Sequence, residues 1–320
     1  MRVVFLGTPE FAVKCLDALA NSHHDIVAVV CQPDKPSERG NKVIFSPVKN
    51  YALSHNLPLF QFPKISRDGI IDLKALEPDI MITAAYGQIL SQEVIDIAKY
   101  GIINVHASLL PKYRGASPIQ TAVINGDRET GITIMKTEIS LDTGDIIAQE
   151  KTPIYEYETT GELSERLAEI GARLIIDVLQ KYEEGTVTFT RQEHIYATTT
   201  RKITKDDCII NWQKSTREIL CLIHGANPNP IARTLLGDET VKIYRAEIMD
   251  FDLNEECEKL EPGTVLPVSS SKKGVFVRTG DGAIELKQVQ FPGGKVLDAK
   301  ALFNGRRLNA YDVFKNVMKI

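Results

Sequence analysis

Residues 79–107 read DIMITAAYGQILSQEVIDIAKYGIINVHA. Two short apolar runs, within 79–87 and 101–107, enclose a stretch of helical pattern, SQEVIDIAKY. Apolar runs of that length without alternation suit strands covered on both faces. A strand–helix–strand unit of this kind lays its two strands parallel in one sheet. The pattern extends towards the N-terminus. VVFLG (3–7) reads as a strand, followed by a helix at EFAVKCLDALANS and a strand at DIVAVVCQ (25–32). SPVKNYALSHN reads as a helix with Ser46 as N-cap and Pro47 at its first position. LPLFQF is a further short strand. The fold expected for this half is α/β, a mostly parallel Rossmann-like sheet with both faces covered.

Towards the C-terminus the signals change. GITIMKTEIS (131–140) alternates, which predicts an antiparallel strand or a sheet edge. TTGELSERLAEIGARLIIDVLQKYEEG (159–185) predicts a long helix. Thr159 and Glu162 have capping-box spacing, Leu163, Leu167, Ile170, Leu174 and Val178 recur every three to four residues, and Gly185 ends it. Residues 186–206 are polar and Thr-rich with little period. Beyond them come VKIYRAEI (241–248), GTVLPVS (263–269) and the hairpin GVFVRTGDGAIELKQVQ (274–290), with one helix near 214–225. Short strands at close spacing predict a small β-barrel. The expected division is 1–189, a linker at 190–206, and 207–320.

Length supports two domains, since 320 residues exceed one ordinary core. No stretch approaches the roughly 20 apolar residues of a membrane span. MRVVFLGTPEFAV reads as a first strand and not a signal peptide, so a cytoplasmic location is expected. The five cysteines, Cys15, Cys31, Cys208, Cys221 and Cys257, are widely spaced with no CxxC pair. They read as reduced packing residues, and no metal cluster is expected. Net charge is −4. Residues 1–200 hold 19 basic and 26 acidic side chains, and residues 201–320 hold 19 and 16. The second half is therefore the one suited to facing an anion.

Side chains two apart on a strand share a face. Asn104 and His106 therefore project together from the end of the strand 101–107, where ligands of a parallel sheet bind. An amide N–H can bind developing negative charge, and an imidazole can move a proton near neutral pH. A hydrogen-bonded core histidine beside a turn asparagine would look the same in sequence. ISLDTGD (139–145) offers two carboxylates, Asp142 and Asp145, either of which could steady an imidazole. The long segment QPDKPSERGNKVIFSP (32–47) carries Lys35, Arg39 and Lys42, with Lys49 just beyond, and suits phosphate groups. GTPEF (7–11) lacks the G-x-G-x-x-G of a dinucleotide site, which disfavours that cofactor.

GTPEF, QPDKP, SPVK, AAYGQIL, GIINVHASLLPKYRGASPIQ, GITIMKTE and LDTGDII occur in that order. Together they resemble the 10-formyltetrahydrofolate-dependent formyltransferase family, and within it the branch acting on methionyl-tRNA. ATTTRKITKDDCIINW (197–212) and LFNGRRL (302–308) extend the resemblance over nearly the whole chain. It implies an N-terminal catalytic domain and an OB-like C-terminal barrel that binds tRNA. It implies the catalytic set Asn104, His106 and Asp142, which chooses between the two carboxylates. It implies folate contacts at Ser108, Leu109, Leu110 and Pro111, at Tyr86, Gly87, Gln88, Ile89 and Leu90, and at Ile139, Ser140 and Leu141. It places Arg39 on the tRNA, with Lys35 and Lys42 beside it. The implied partners are 10-formyltetrahydrofolate and initiator methionyl-tRNA, with no metal and no membrane, in a monomer. The segment Asn227-Pro228-Asn229-Pro230-Ile231 lacks the aromatic residue that this branch carries between its two prolines. Relatives that formylate a sugar-nucleotide amine share the catalytic motifs. A non-catalytic RNA-binding protein would have no need of them.

Overall fold

The computed structural model describes residues 1–36, 43–270 and 272–316. Contacts divide the chain into two units. The first is Met1–Ala116, Thr130–Pro153 and Ser164–Thr200; the second is Ser117–Glu129, Ile154–Leu163 and Arg201–Ile320.

The first unit is built on seven strands: β1 (Arg2–Gly7), β2 (Asp25–Cys31), β3 (Leu59–Gln61), β4 (Ile80–Ala84), β5 (Ile102–His106), β6 (Glu129–Lys136) and β7 (Ile146–Pro153). Their order is β7-β6-β5-β4-β1-β2-β3. β3, β2, β1, β4 and β5 run parallel. β1 and β4 are buried along nearly their whole length, as two-sided coverage requires. The chain lays β2 and β3 on one side of β1, then returns to lay β4 and β5 on the other. That reversal opens a crevice at the carboxyl ends of β1 and β4, where open α/β sheets bind ligands.

β6 is antiparallel to β5. It is not an edge: its residues Thr130–Met135 are buried, and β7 takes the edge beyond it with a half-exposed pattern. The helix expected at 91–100 is shorter than its pattern, a single turn over Gln92–Ile95. The chain then closes with Gly101 N–H donating to Ala98 O at 2.9 Å, with Gly101 at φ +72°. α1 (Glu10–Ala20) and α2 (Pro47–Ser54) form where expected, and Ser46 Oγ caps α2 by accepting Lys49 N–H at 3.2 Å.

α3 (Thr160–Glu184) is the long helix. Thr159 and Glu162 exchange capping bonds, Glu162 N–H to Thr159 Oγ1 at 3.3 Å and Thr159 N–H to Glu162 Oε2 at 2.9 Å. Gly185 leaves the helix at φ +69°. Midway, Gly171 lies so close to β5 that a Cβ there would sit 2.8 Å from Val105 Cγ1. Val105 lies between Asn104 and His106. Packing it under α3 turns those two polar side chains to the other face.

The second unit has the strands β8 (Ala232–Leu236), β9 (Glu239–Ile248), β10 (Val275–Arg278), β11 (Ala283–Gln290) and β12 (Phe314–Lys315), in the order β10-β11-β9-β8-β12. Adjacent strands are antiparallel. β8 carries little alternation in sequence and was not among the expected strands. GTVLPVS, expected as a strand, instead supplies short bridges. Gly263 N–H donates to Arg278 O and Arg278 N–H to Thr264 O, at 2.8 and 2.9 Å. Phe314 N–H donates to Gly263 O and Val265 N–H to Asp312 O, both at 2.8 Å. These bonds join β10 to the chain entering β12 and close the sheet into a small OB-like barrel. Its core includes fully buried Trp212, stacked on Phe314 and donating Nε1–H to Thr234 Oγ1 at 2.9 Å. The helix expected near 214–225 is α4 (Thr216–Gly225), with a Ser215/Glu218 capping box.

Gly171→Val should destabilise the first unit by about 1–3 kcal/mol, because the added methyls force α3 away from Val105. Urea unfolding followed by far-ultraviolet circular dichroism would show a lower midpoint. An unchanged midpoint would mean that the helix has room to spare.

Candidate active site

The carboxyl end of β5 presents Asn104 and His106. Asn104 lies beside Thr83 of β4 in register, and Thr83 Oγ1 donates to Asn104 Oδ1 at 2.9 Å. With its oxygen engaged, the Asn104 amide has Nδ2 left to donate. His106 is 5% exposed. Its Nε2 lies 3.0 Å from Tyr113 O. A carbonyl has no proton to give, so Nε2 carries the hydrogen and Nδ1 is the basic nitrogen. Nδ1 faces Asp142 Oδ2 at 3.7 Å. Asp142 Oδ2 in turn accepts Gly115 N–H at 2.7 Å. Asp142 sits at φ +52°, an unusual region for a residue with a side chain. The carboxylate is therefore held by its loop backbone and by a fixed donor.

Of the two carboxylates in LDTGD, Asp142 is the one within 4 Å of the imidazole. Asp145 contributes its carbonyl, which accepts Lys136 N–H at 2.9 Å. Thr83, the Tyr113 carbonyl and the Gly115 amide were not singled out from sequence. Thr83 could have been found by register, as the polar residue ending a buried strand next to Asn104. The other two are backbone groups and carry no sequence signal.

The Ser108–Pro111 turn is fixed from β6. Fully buried Thr133 Oγ1 donates to Ser108 O at 2.6 Å and accepts Leu110 N–H at 3.1 Å. Gln149 Nε2 donates to Leu110 O at 2.8 Å, and Ser108 Oγ donates to Lys112 O at 2.6 Å. The Tyr86–Leu90 loop is tied by Tyr86 O, which accepts from Thr8 Oγ1 at 3.2 Å and Gln32 Nε2 at 3.0 Å. Gln88 spends its side chain on Ile65 N–H and Phe62 O. Gly87 has φ +86°. Ile89, Ile139 and Leu141 stand out from these loops, 90%, 59% and 69% exposed. Ile139 and Ser140 line a cavity of about 770 Å³ together with Ile95, Ile102, Thr137 and Tyr182, a space that Asn104, His106 and Asp142 do not line.

Lys35 lies in a two-residue antiparallel pairing, its backbone opposite Ile44. Arg39 and Lys42 lie outside the described residues. Lys49 is engaged, with Nζ bonded to Asp34 Oδ2 and Gln61 Oε1. All five cysteines are free and buried. Burial raises every one of their thiols, Cys15 to about 12 and Cys208 to about 11, which leaves them poor nucleophiles. Among the described residues, one group, His23, His24 and Glu183, brings possible metal-ligand atoms within 4.8 Å of one another. It sits by the start of β2, at the opposite end of the sheet from Asn104 and His106. No helix among the described residues is long and apolar enough to cross a membrane.

A parallel sheet whose β5 end carries Asn104 and His106, faced by a loop carboxylate and followed along the chain by a small barrel, fits the two-domain formyl transferases. The chain belongs to the formyl transferase family, whose N-terminal domain matches residues 1–179 and whose C-terminal domain matches residues 202–307. Within it, the chain is 41% identical over 309 residues to the methionyl-tRNA formyltransferase of Alkaliphilus metalliredigens, covering 96% of both chains. It is 43% identical over 306 residues to that of Agathobacter rectalis, covering 95% of this chain and 96% of the relative. The fold also matches an N-formyltransferase from Helicobacter canadensis solved with folinic acid and dTDP-3-aminofucose. That match has a TM-score of 0.66 at 19% identity, over 89% of this chain and 99% of the other.

Asp142→Asn should reduce kcat for formyl transfer far more than Asp145→Asn, because Asp142 faces Nδ1 of His106. Steady-state assays of both variants check this. Equal losses, or a larger loss at Asp145, would assign the wrong carboxylate.

Proposed function

We propose that this chain transfers the formyl group of 10-formyltetrahydrofolate to the α-amino group of initiator methionyl-tRNA, giving N-formylmethionyl-tRNA for translation initiation. The relatives named for that activity support the reading. The observation that carries it is Asn104 and His106 on one strand face, with Asp142 3.7 Å from the imidazole.

Bound 10-formyltetrahydrofolate supplies the formyl carbon and an amide-like leaving nitrogen. The exposed side chains of Ile89, Ile139 and Leu141 are assigned to the faces of the flat pterin ring, whose polar edge would be met by backbone groups of the same loops. Tyr86–Leu90, Ile139–Leu141 and Ser108–Pro111 are assigned to hold it. Asn104 Nδ2 donates to the formyl oxygen as it gains negative charge. One such donor is typically worth about 10²–10³ in rate. His106 takes the proton of the attacking amine at Nδ1, the nitrogen not bonded to Tyr113, and returns it towards the leaving nitrogen. Asp142 stabilises the imidazolium between those two transfers. The chemistry needs no covalent enzyme adduct and no metal.

We assign residues 1–189 to catalysis and 207–320 to handling the tRNA, joined by 190–206, in a cytoplasmic monomer. Lys35, Arg39 and Lys42 are assigned to tRNA phosphates. The decisive experiment is an assay of the purified protein with 10-formyltetrahydrofolate and methionyl-tRNA. Formylmethionyl-tRNA is the expected product, and its absence would overturn the reading.

His106→Ala should fold and lose about 10²–10⁴ of turnover. A folded variant keeping more than about a tenth of wild-type kcat would remove His106 from the mechanism. Arg39→Ala should weaken tRNA binding and flatten the slope of log affinity against log salt by about 0.7–0.9, the loss of one phosphate contact. Folate affinity should not change. Binding of methionyl-tRNA measured at several salt concentrations tests this, and an unchanged slope would exclude Arg39 as a phosphate contact.

A further inference from the structure

Residues 190–196 carry none of the motifs above, yet together with 197–200 they run as a strap against the loop that bears Asp142. At one end Thr190 and Ile146 exchange backbone bonds, both at 2.8 Å. At the other, Thr198 O accepts Arg114 N–H at 2.9 Å, and Thr199–Thr200 pairs with Arg114–Gly115. Between these ties lies Gln192, 3% exposed. Its Oε1 accepts from Arg114 Nη2 at 2.6 Å and from Arg114 Nε at 3.1 Å. Its Nε2 donates to Asp142 O at 3.0 Å and to Gly144 O at 2.7 Å.

All the hydrogen-bonding capacity of one side-chain amide is thus used, and its orientation is fixed by chemistry. A guanidinium only donates, so it must meet the amide oxygen. The amide N–H groups are then aimed at two carbonyls, which only accept. Arg114 is itself 8% exposed, and its Nη2 also meets His194 Nδ1 at 3.1 Å. The bonds fall on the backbone of Asp142, the residue held at φ +52°.

We infer that Gln192 is a positioning residue of this active site. Held by Arg114, it clamps the backbone at residues 142 and 144 so that the Asp142 carboxylate stays on Gly115 N–H and opposite His106 Nδ1. The inference rests on the assignment of Asp142 as partner of His106. It makes the strap, which reads as a linker in sequence, part of the catalytic apparatus.

Gln192→Glu tests it. A carboxylate there still pairs with Arg114, so the strap stays anchored, but it turns acceptors towards two carbonyls. Expected are a kcat about 10²-fold lower, little change in KM, and a displaced acid limb of the kcat–pH profile. Amide hydrogen exchange at Gly115, which reports the Asp142 carboxylate without any turnover, should quicken by about tenfold or more. If Gln192→Glu does not fold, Gln192→Met carries the same measurements. Wild-type exchange at Gly115 in the folded variant, or an unchanged kcat and pH profile, would overturn the inference. If the wild-type protein makes no formylmethionyl-tRNA, the functional reading fails on its own, and exchange at Gly115 alone decides the role of Gln192.

Discussion

The seating of Val105 under Gly171 is the constraint on which the site depends. A strand inside a sheet has two faces and a period of two, so fixing one residue fixes its neighbours. With no side chain at position 171, α3 comes close enough to trap Val105. Asn104 and His106 then have no choice of face. Had the register slipped by one residue, an amide and an imidazole would lie under a helix. The buried cost of two unpaired polar groups there, about 1–3 kcal/mol each, forbids that alternative. The same packing that stabilises the first unit therefore sets the direction in which the candidate site faces.

From that face outward, each added group is held by a bond to something already fixed. Thr83 is in register with Asn104, and its hydroxyl sets which end of the amide is free. Thr133 stands opposite His106 across β5 and β6, and ties the Ser108–Pro111 turn that follows. The site is thus an extension of the sheet's register and not a set of loop residues placed independently. That rigidity suits the direct transfer proposed for this chain, where geometry supplies much of the rate.

The parts legible in sequence were those governed by local periodicity. The parallel strands, α3 with its capping box, the hairpin of β10 and β11, and the shared face of Asn104 and His106 all follow from spacing within about ten residues. What escaped was decided by distant partners. β8 has a poor strand pattern, and it forms because β9 and β12 flank it. GTVLPVS closes the barrel through isolated bridges, and Gly263 is required there twice over: φ is +99°, and a Cβ would meet Phe314 O at 2.3 Å. The choice between Asp142 and Asp145 came from family resemblance, since spacing alone held no preference. The geometry that distinguishes them is a bond from Gly115, 27 residues away in sequence.

That last bond shows how much of the candidate site is backbone. His106 is oriented by the Tyr113 carbonyl, Asp142 by the Gly115 amide, and the loop by the carbonyls of residues 142 and 144. Backbone groups cannot be chosen by side-chain identity, so the chain selects them through glycine. A Cβ on Gly115 would lie 2.2 Å from Thr200 O, and one on Gly144 would lie 2.0 Å from Lys136 O. Neither position tolerates even alanine without moving the strand or strap it touches. Gly115 also sits at φ +114°, which side chains disfavour. These two glycines make no contact with the imidazole through side chains of their own. They set the distance between His106 and its carboxylate by letting the surrounding backbone close in.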